Sequence, residues 1–209
     1  MKSFLWALAL LFGAGTLSLT PAPAQAGPIL LISEGKLIGA NDVDVRGTLY
    51  DVRFVDGTCV EVFSGCDSVS DFDFNNFMLA RDAARALMDQ VLLDSSLGDF
   101  DSLPYLTAGC SSSSNCFLQI PNGFWSVTRL QTGVAVNYAG SGDFGGTGSV
   151  DLPEDTSSIS NEVWVRFGLP GAFDEVVEVP APATLGLFGA GLLGLAAAGR
   201  RRRRGSANA

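Results

Sequence analysis

Apolar positions crowd the two ends of the chain, and between them they alternate or recur at helical spacing. Near the N-terminus Lys2 precedes an uncharged, mostly apolar run from Phe4 to Leu19, then come Pro21, Pro23 and the small-residue triplet Ala24-Gln25-Ala26. This is the layout of a secretory signal peptide cut before Gly27, and it predicts a leader over residues 1–26. At the other end the 17 residues from Ala183 to Gly199 carry no charge. As a helix they would reach roughly 26 Å, the short limit for crossing the hydrocarbon core of a bilayer. Arg200, Arg201, Arg202, Arg203 and Arg204 follow directly. Basic residues beside an apolar span stay on the cytoplasmic side, so the pattern predicts a transmembrane helix at 183–199, a basic cytoplasmic tail at 200–209, and export of everything before them.

The middle reads as one exported domain, residues 27–168, followed by an acidic, proline-containing spacer at 169–182. Ile29 to Ile32 suggests a first strand. Val43 and Val45, a turn at Arg46-Gly47 and the run Thr48 to Val55 suggest an antiparallel pair. Asp56-Gly57 then predicts a tight hairpin into Thr58 to Phe63, with Phe54 opposite Cys59. From Asn76 to Leu93 the period changes: Phe77, Ala80, Ala84, Leu87 and Val91 recur at helical spacing, with Arg81, Asp82, Arg85 and Asp89 on the other side. Asp73, Asn75 or Asn76 can cap that helix. Asp99 to Asn122 reads as irregular, Phe124–Gln131, Val134–Tyr138 and Glu162–Phe167 as strands, and the glycine-rich stretch Gly140 to Ser149 as a flexible loop. The expected fold is α+β, a small antiparallel β-sheet carrying one main amphipathic helix, flanked by the signal peptide and the transmembrane helix.

Charge changes the picture of partners. All 22 acidic residues fall between Gly27 and Glu178, against seven basic ones, so this stretch has a formal charge of −15. Such a field repels phosphate backbones and argues against nucleic acid as a partner. The four cysteines form two close pairs in sequence, Cys59 with Cys66 and Cys110 with Cys116. In an exported chain an even number reads as disulfides, and of the three formal pairings the two local ones are favoured, because each closes a short Ser- and Gly-rich loop. Zinc is the rival use of the thiols, and it lacks histidine support, since the chain has none.

The tail adds a resemblance. Val179-Pro180-Ala181-Pro182-Ala183-Thr184-Leu185, a Gly/Leu/Ala-rich span and the terminal arginines resemble the PEP-CTERM sorting signal over residues 179–204. The resemblance implies a protein exported by a Gram-negative bacterium, held in the inner membrane by its C-terminal helix, recognised there by an exosortase-like processing enzyme, and delivered to the cell surface or the extracellular polysaccharide matrix. Ala181 stands where the name-giving Pro-Glu-Pro has its carboxylate, so a charge open to recognition is missing from the motif.

Little in the middle points to catalysis. The absence of histidine removes Ser-His-Asp and Cys-His arrangements. Lys36, the only lysine after the leader, has no marked serine beside it in sequence. Asp71, Asp73 and Asn75 offer oxygens at alternate positions, a partial echo of a calcium loop, although Asn76 occupies the place that calls for glycine. The expectation is a structural or interaction protein of the cell surface or extracellular matrix, without enzymatic activity and without a cofactor. The alternatives are a calcium- or carbohydrate-binding module, with extracellular polysaccharide as a further partner, and a secreted glycosidase, which would need two facing carboxylates.

Overall fold

The computed structural model describes residues 27–140, 142–152 and 154–173. The signal peptide, the sorting motif from Val179 to Leu185, the span at 183–199 and the arginines from Arg200 to Arg204 lie outside the described residues. No helix among the described residues is long and apolar enough to cross a membrane.

The chain opens with three antiparallel strands, β1 (Ile29–Ser33), β2 (Lys36–Val45) and β3 (Thr48–Val55). The turns between them, Glu34-Gly35 and Arg46-Gly47, hold both residues at positive φ, the geometry that matches the twist of paired strands. A short helix, α1 (Cys59–Phe63), and the main helix, α2 (Phe77–Gln90), come next. A two-residue ladder joins β4 (Asp94–Ser95) to β5 (Gly98–Asp99). Four long strands follow: β6 (Asn115–Ser126), β7 (Arg129–Tyr138), β8 (Phe144–Asp151) and β9 (Glu162–Gly168). Beyond β9, Gly171 N donates to Asp51 Oδ2 and the Arg53 guanidinium lies over the Phe173 ring, so the chain folds back on β3.

The expected α+β fold with a small antiparallel sheet is overturned. The chain is mostly β, with a single seven-stranded mixed sheet in the order β1-β2-β3-β9-β6-β7-β8, parallel only where β6 meets β9. Three misread segments account for the difference. Asn115–Ser126 is a central strand despite Pro121, because the pairing with β9 covers only Phe117 to Gln119 and Pro121 stands where β6 has a neighbour on one side only. The turn falls at Val127-Thr128, which splits the expected strand Phe124–Gln131 between β6 and β7. Phe144–Asp151, expected as a flexible loop, is the edge strand β8 and pairs with β7 along its whole length.

The second hairpin is also absent. Thr58 caps α1 with a reciprocal box: Glu61 N donates to Thr58 Oγ1 at 3.3 Å and Thr58 N donates to Glu61 Oε2 at 3.1 Å. Two helix-start donors are thereby satisfied, and Thr58-Cys59-Val60-Glu61 becomes a helix start instead of a return strand. Cys59, expected opposite Phe54, is buried on the face of the sheet away from it. There Cys59, Val62, Phe63 and Phe72 cover Leu130, Val150 and Trp164. Trp164 is fully buried, and its indole N–H donates to Gly57 O at 2.9 Å.

Helix α2 runs over nearly the expected residues, with Asn76 Oδ1 accepting from the amides of Met78 and Leu79. Its buried side is wider than one stripe. Ala80, Ala83, Ala84, Ala86 and Leu87 are all buried, while Phe77 is exposed. The sheet curls around it. At one side Gln90 exchanges two hydrogen bonds with the Asp44 backbone of β2, and at the other Arg85 Nε donates to Gly145 O of β8. The helix lies on a floor of glycine: a Cβ on Gly133 would collide with the Ala80 carbonyl, and one on Gly145 would lie 2.6 Å from the Arg85 backbone. Gly148 differs, since its Cβ would meet only the Thr132 and Val134 side chains, at 3.3 Å.

Gly133→Ala and Gly145→Ala should therefore each cost about 1–3 kcal/mol by forcing helix and sheet apart. Gly148→Ala should cost clearly less. Urea unfolding of the three variants checks this, and a glycine-rich stretch that served only as a flexible loop would leave Gly145→Ala neutral.

Candidate functional site

Both local disulfides are present, Cys59–Cys66 and Cys110–Cys116, with Cα separations of 5.9 and 5.8 Å. The first staples the layer around α1, and the second lies in the core on the α2 side.

The calcium candidates do not converge. Asp71 accepts from the amides of Asp67 and Ser68, which holds its carboxyl below the usual range, and it caps a turn. Asp73 points elsewhere. Its oxygens take both arms of the Arg166 guanidinium, at 2.9 and 3.0 Å, and the Phe167 amide at 2.8 Å. Arg166 also donates to Val62 O and lies over the Phe63 ring, so Asp73 ties the α1 layer to β9. Asn75 is exposed beside the helix cap. Among the described residues no group of three or more His, Cys, Asp or Glu could hold a metal ion.

Two carboxylate pairs sit elsewhere. At the start of β9, burial first and then repulsion from Glu154 push Glu162 up to about 7, and its Oε2 is buried without a hydrogen-bond partner. Gln119, which accepts from Thr132 Oγ1 at 2.9 Å, lies on the same side. Near the β4–β5 turn, Asp101 is pushed up to about 6 by the hydrogen bond it shares with Asp143, then by burial and by repulsion from Asp143 and Asp94.

One open cleft among the described residues lies at the tip of the β6–β7 hairpin. The β6–β7 pairing shifts register between Phe124 and Ser126, so Trp125 sits in a bulge at the end of β6. Phe124 packs on Phe72, while Trp125 points to the α2 side beyond the start of that helix and is 71% exposed. Ser126 Oγ accepts from Thr128 N and steadies the turn. The alternation of β7 and β8 then puts Arg129, Gln131, Thr147 and Ser149 on the same side as Trp125, where they line a cleft of about 350 Å³. Arg129 pairs with Asp151 at 2.7 Å across the two strands. An exposed indole face is thus set beside hydroxyl, amide and guanidinium groups that can both donate and accept. The sequence reading passed over these residues. The available signal was Phe124-Trp125 next to a turn, two adjacent aromatics at the end of a strand.

Residues 178–203 match the family model of the PEP-CTERM protein-sorting motif. The tail therefore carries the sorting signal of an exported protein, one that is handled by an exosortase, a membrane enzyme, and destined for the cell surface. The match does not extend into the described residues. No curated protein and no solved structure matches the chain.

The carboxylate pairs make a prediction with a definite sign. Glu162 moves from its ordinary 4.5 to about 7 and Asp101 from 3.8 to about 6, so the folded state holds protons that the unfolded chain has released. Their contribution is fully present below the ordinary values and is lost as pH rises through 6 and 7. Glu61, Asp71 and Asp94, held below their ordinary values, act oppositely and lose their contribution as pH falls below about 4. Stability should thus peak near pH 5 and fall by on the order of 1 kcal/mol toward pH 7.5, after allowance for solvent screening. Glu162→Gln should remove most of that fall. Thermal melts at pH 5 and 7.5 measure it, and a Tm higher at pH 7.5 than at pH 5 contradicts it.

Proposed function

We propose that the chain is an interaction protein of the cell surface or extracellular matrix, and that its exported domain binds polysaccharide through the cleft at Trp125. The observation that carries this reading is Trp125 itself. A tryptophan with 71% of its surface in water, flanked by Arg129, Gln131, Thr147 and Ser149, matches the two sides of a sugar ring. The apolar C–H face of a pyranose can lie on the indole, while its hydroxyls meet side chains able to donate and accept. Val127, at the turn and 95% exposed, extends the apolar edge. The cleft is shallow and open along an edge strand, which suits a polymer better than a small molecule. The cell-surface destination that the sorting tail implies supports this reading. A structural partner made of protein is the other interaction reading, and nothing at the cleft favours it over a glycan.

Tryptophan fluorescence tests the proposal directly, because Trp164 is buried and hydrogen-bonded and Trp6 lies in the expected leader. Titration with soluble polysaccharides should shift the emission of the full chain, and Trp125→Ala should abolish both the shift and retention on immobilised polymer while leaving the Tm unchanged. Retention that survives Trp125→Ala would remove the cleft from consideration.

A further inference from the structure

The two edges of the seven-stranded sheet are unlike. At one, β1 is five residues long, follows Pro28 and carries a bulge between Leu31 and Ile32. Short length, proline and a bulge all keep an edge from pairing with another chain. At the other, β8 has none of them. It runs for eight residues without proline, lysine or arginine, and its register with β7 never shifts. Its one charged residue is Asp151, the last in the strand.

One hydrogen bond fixes which backbone groups of β8 look outward. Just past the strand, Leu152 N donates to Thr128 O at 2.7 Å, so Leu152 and Thr128 form a hydrogen-bonded pair. Alternation along an antiparallel ladder then turns the amides and carbonyls of Phe144, Gly146, Gly148 and Val150 toward β7. Those of Gly145, Thr147, Ser149 and Asp151 point away from the sheet. The bond from Arg85 Nε to Gly145 O agrees, since that carbonyl is an outward one. Among the described residues no other hydrogen bond reaches these outward groups.

We propose that β8 pairs with β8 of a second copy of this chain, antiparallel about a two-fold axis at Gly148, so that the sheet continues from one protomer into the other. An axis perpendicular to the sheet makes the contact self-complementary and keeps the helix sides of both copies on one face. Thr147 then lies opposite Ser149 of the second copy, and Gly145 opposite Asp151, and each pair exchanges its outward backbone groups. Charge selects this register. Asp151, whose side chain is 76% exposed, comes to the level of Arg85, 54% exposed, on the helix side. A carboxylate has four acceptor sites, so Asp151 keeps Arg129 as well. An axis at Thr147 would instead set Asp151 against Asp143, with like charges directly opposed. On the other face Phe144, 47% exposed, meets partly buried Leu152 of the second copy. Thr147 and Ser149 also line the Trp125 cleft, so the pairing joins two clefts across the axis, whatever ligand they take.

Sedimentation equilibrium of the purified full chain in a non-ionic detergent measures the dimer, and disulfide cross-linking reads its register. Wild type should dimerise. Thr147→Pro removes an outward N–H without costing a bond to β7, and by symmetry two bonds between the copies are lost, so dimerisation should weaken about tenfold. A mixture of Thr147→Cys and Ser149→Cys proteins should cross-link in clear excess over either alone, because a hydrogen-bonded pair holds its Cα atoms about 5.5 Å apart, within reach of a disulfide. If Thr147→Pro fails to give the wild-type circular dichroism, the cross-link decides by itself. A monomeric wild type overturns the proposal. So does a dimer of unchanged affinity in Thr147→Pro, as expected of one held through the C-terminal tail, or Thr147→Cys that cross-links to itself as readily as to Ser149→Cys.

Discussion

The contact of α2 with the glycines of β7 and β8 sets the geometry on which the rest of this domain depends. A helix normally rests on a sheet through a layer of side chains. Here Ala80 and the Arg85 backbone come down on Gly133 and Gly145 with no room for a Cβ between them. That close approach lets one sheet wrap the helix from β2 on one side to β8 on the other, so that Asp44 and Gly145, on strands far apart in the sheet, both bond to α2. A helix enclosed in this way needs small residues on more than one side, which explains why Ala80, Ala83, Ala84 and Ala86 are all buried. It also places Arg81 and Arg85 at the margin of β8, where long side chains can leave the contact and reach water.

The other face of the sheet is closed by different means. Only a short helix and a turn cover it, and they are held by the Cys59–Cys66 disulfide and by Asp73, which fixes Arg166 beneath Val62 and Phe63. Removing Asp73 would leave a half-buried guanidinium without its carboxylate partner, so this residue has a structural duty at the junction of the α1 layer and β9. Among the described residues, the end of the sheet beyond the start of α2 has no cover on the helix side. Trp125 projects there from a hairpin whose opposite side is filled by Phe124 against Phe72. Packing thus accounts for one aromatic and leaves the other exposed.

How much of this could be read beforehand depended on whether the signal was local. Helix α2, the Arg46-Gly47 turn, the strands Thr48–Val55 and Glu162–Gly168, and the pairing of nearby cysteines all follow from periodicity, turn residues or loop length, and they are present. The sorting tail was legible for the same reason, as a contiguous motif. The errors came where a tertiary neighbour decides what a residue is for. Glycines in β8 resemble a flexible linker until the helix they accommodate is known. Pro121 argues against a strand until β9 is found to stop short of it. At Asp56-Gly57 two local signals competed, and the capping box of Thr58 and Glu61 prevailed over the hairpin dipeptide. The Trp125 cleft was legible only as an aromatic pair beside a turn, because its residues come from three strands, β6, β7 and β8, and the last has the composition of a loop.

The central claim is that the glycine-rich stretch is an ordered strand carrying the helix, since the curl of the sheet, the place of the arginines and the second wall of the cleft all follow from it. Amide hydrogen exchange over residues 144–151 tests this most directly. The alternate amides of β8 that face β7 should be protected to nearly the same degree as the core of β7, as expected for a strand that opens only with the sheet. Exchange of all of these amides at the rate of an unstructured chain would contradict the account.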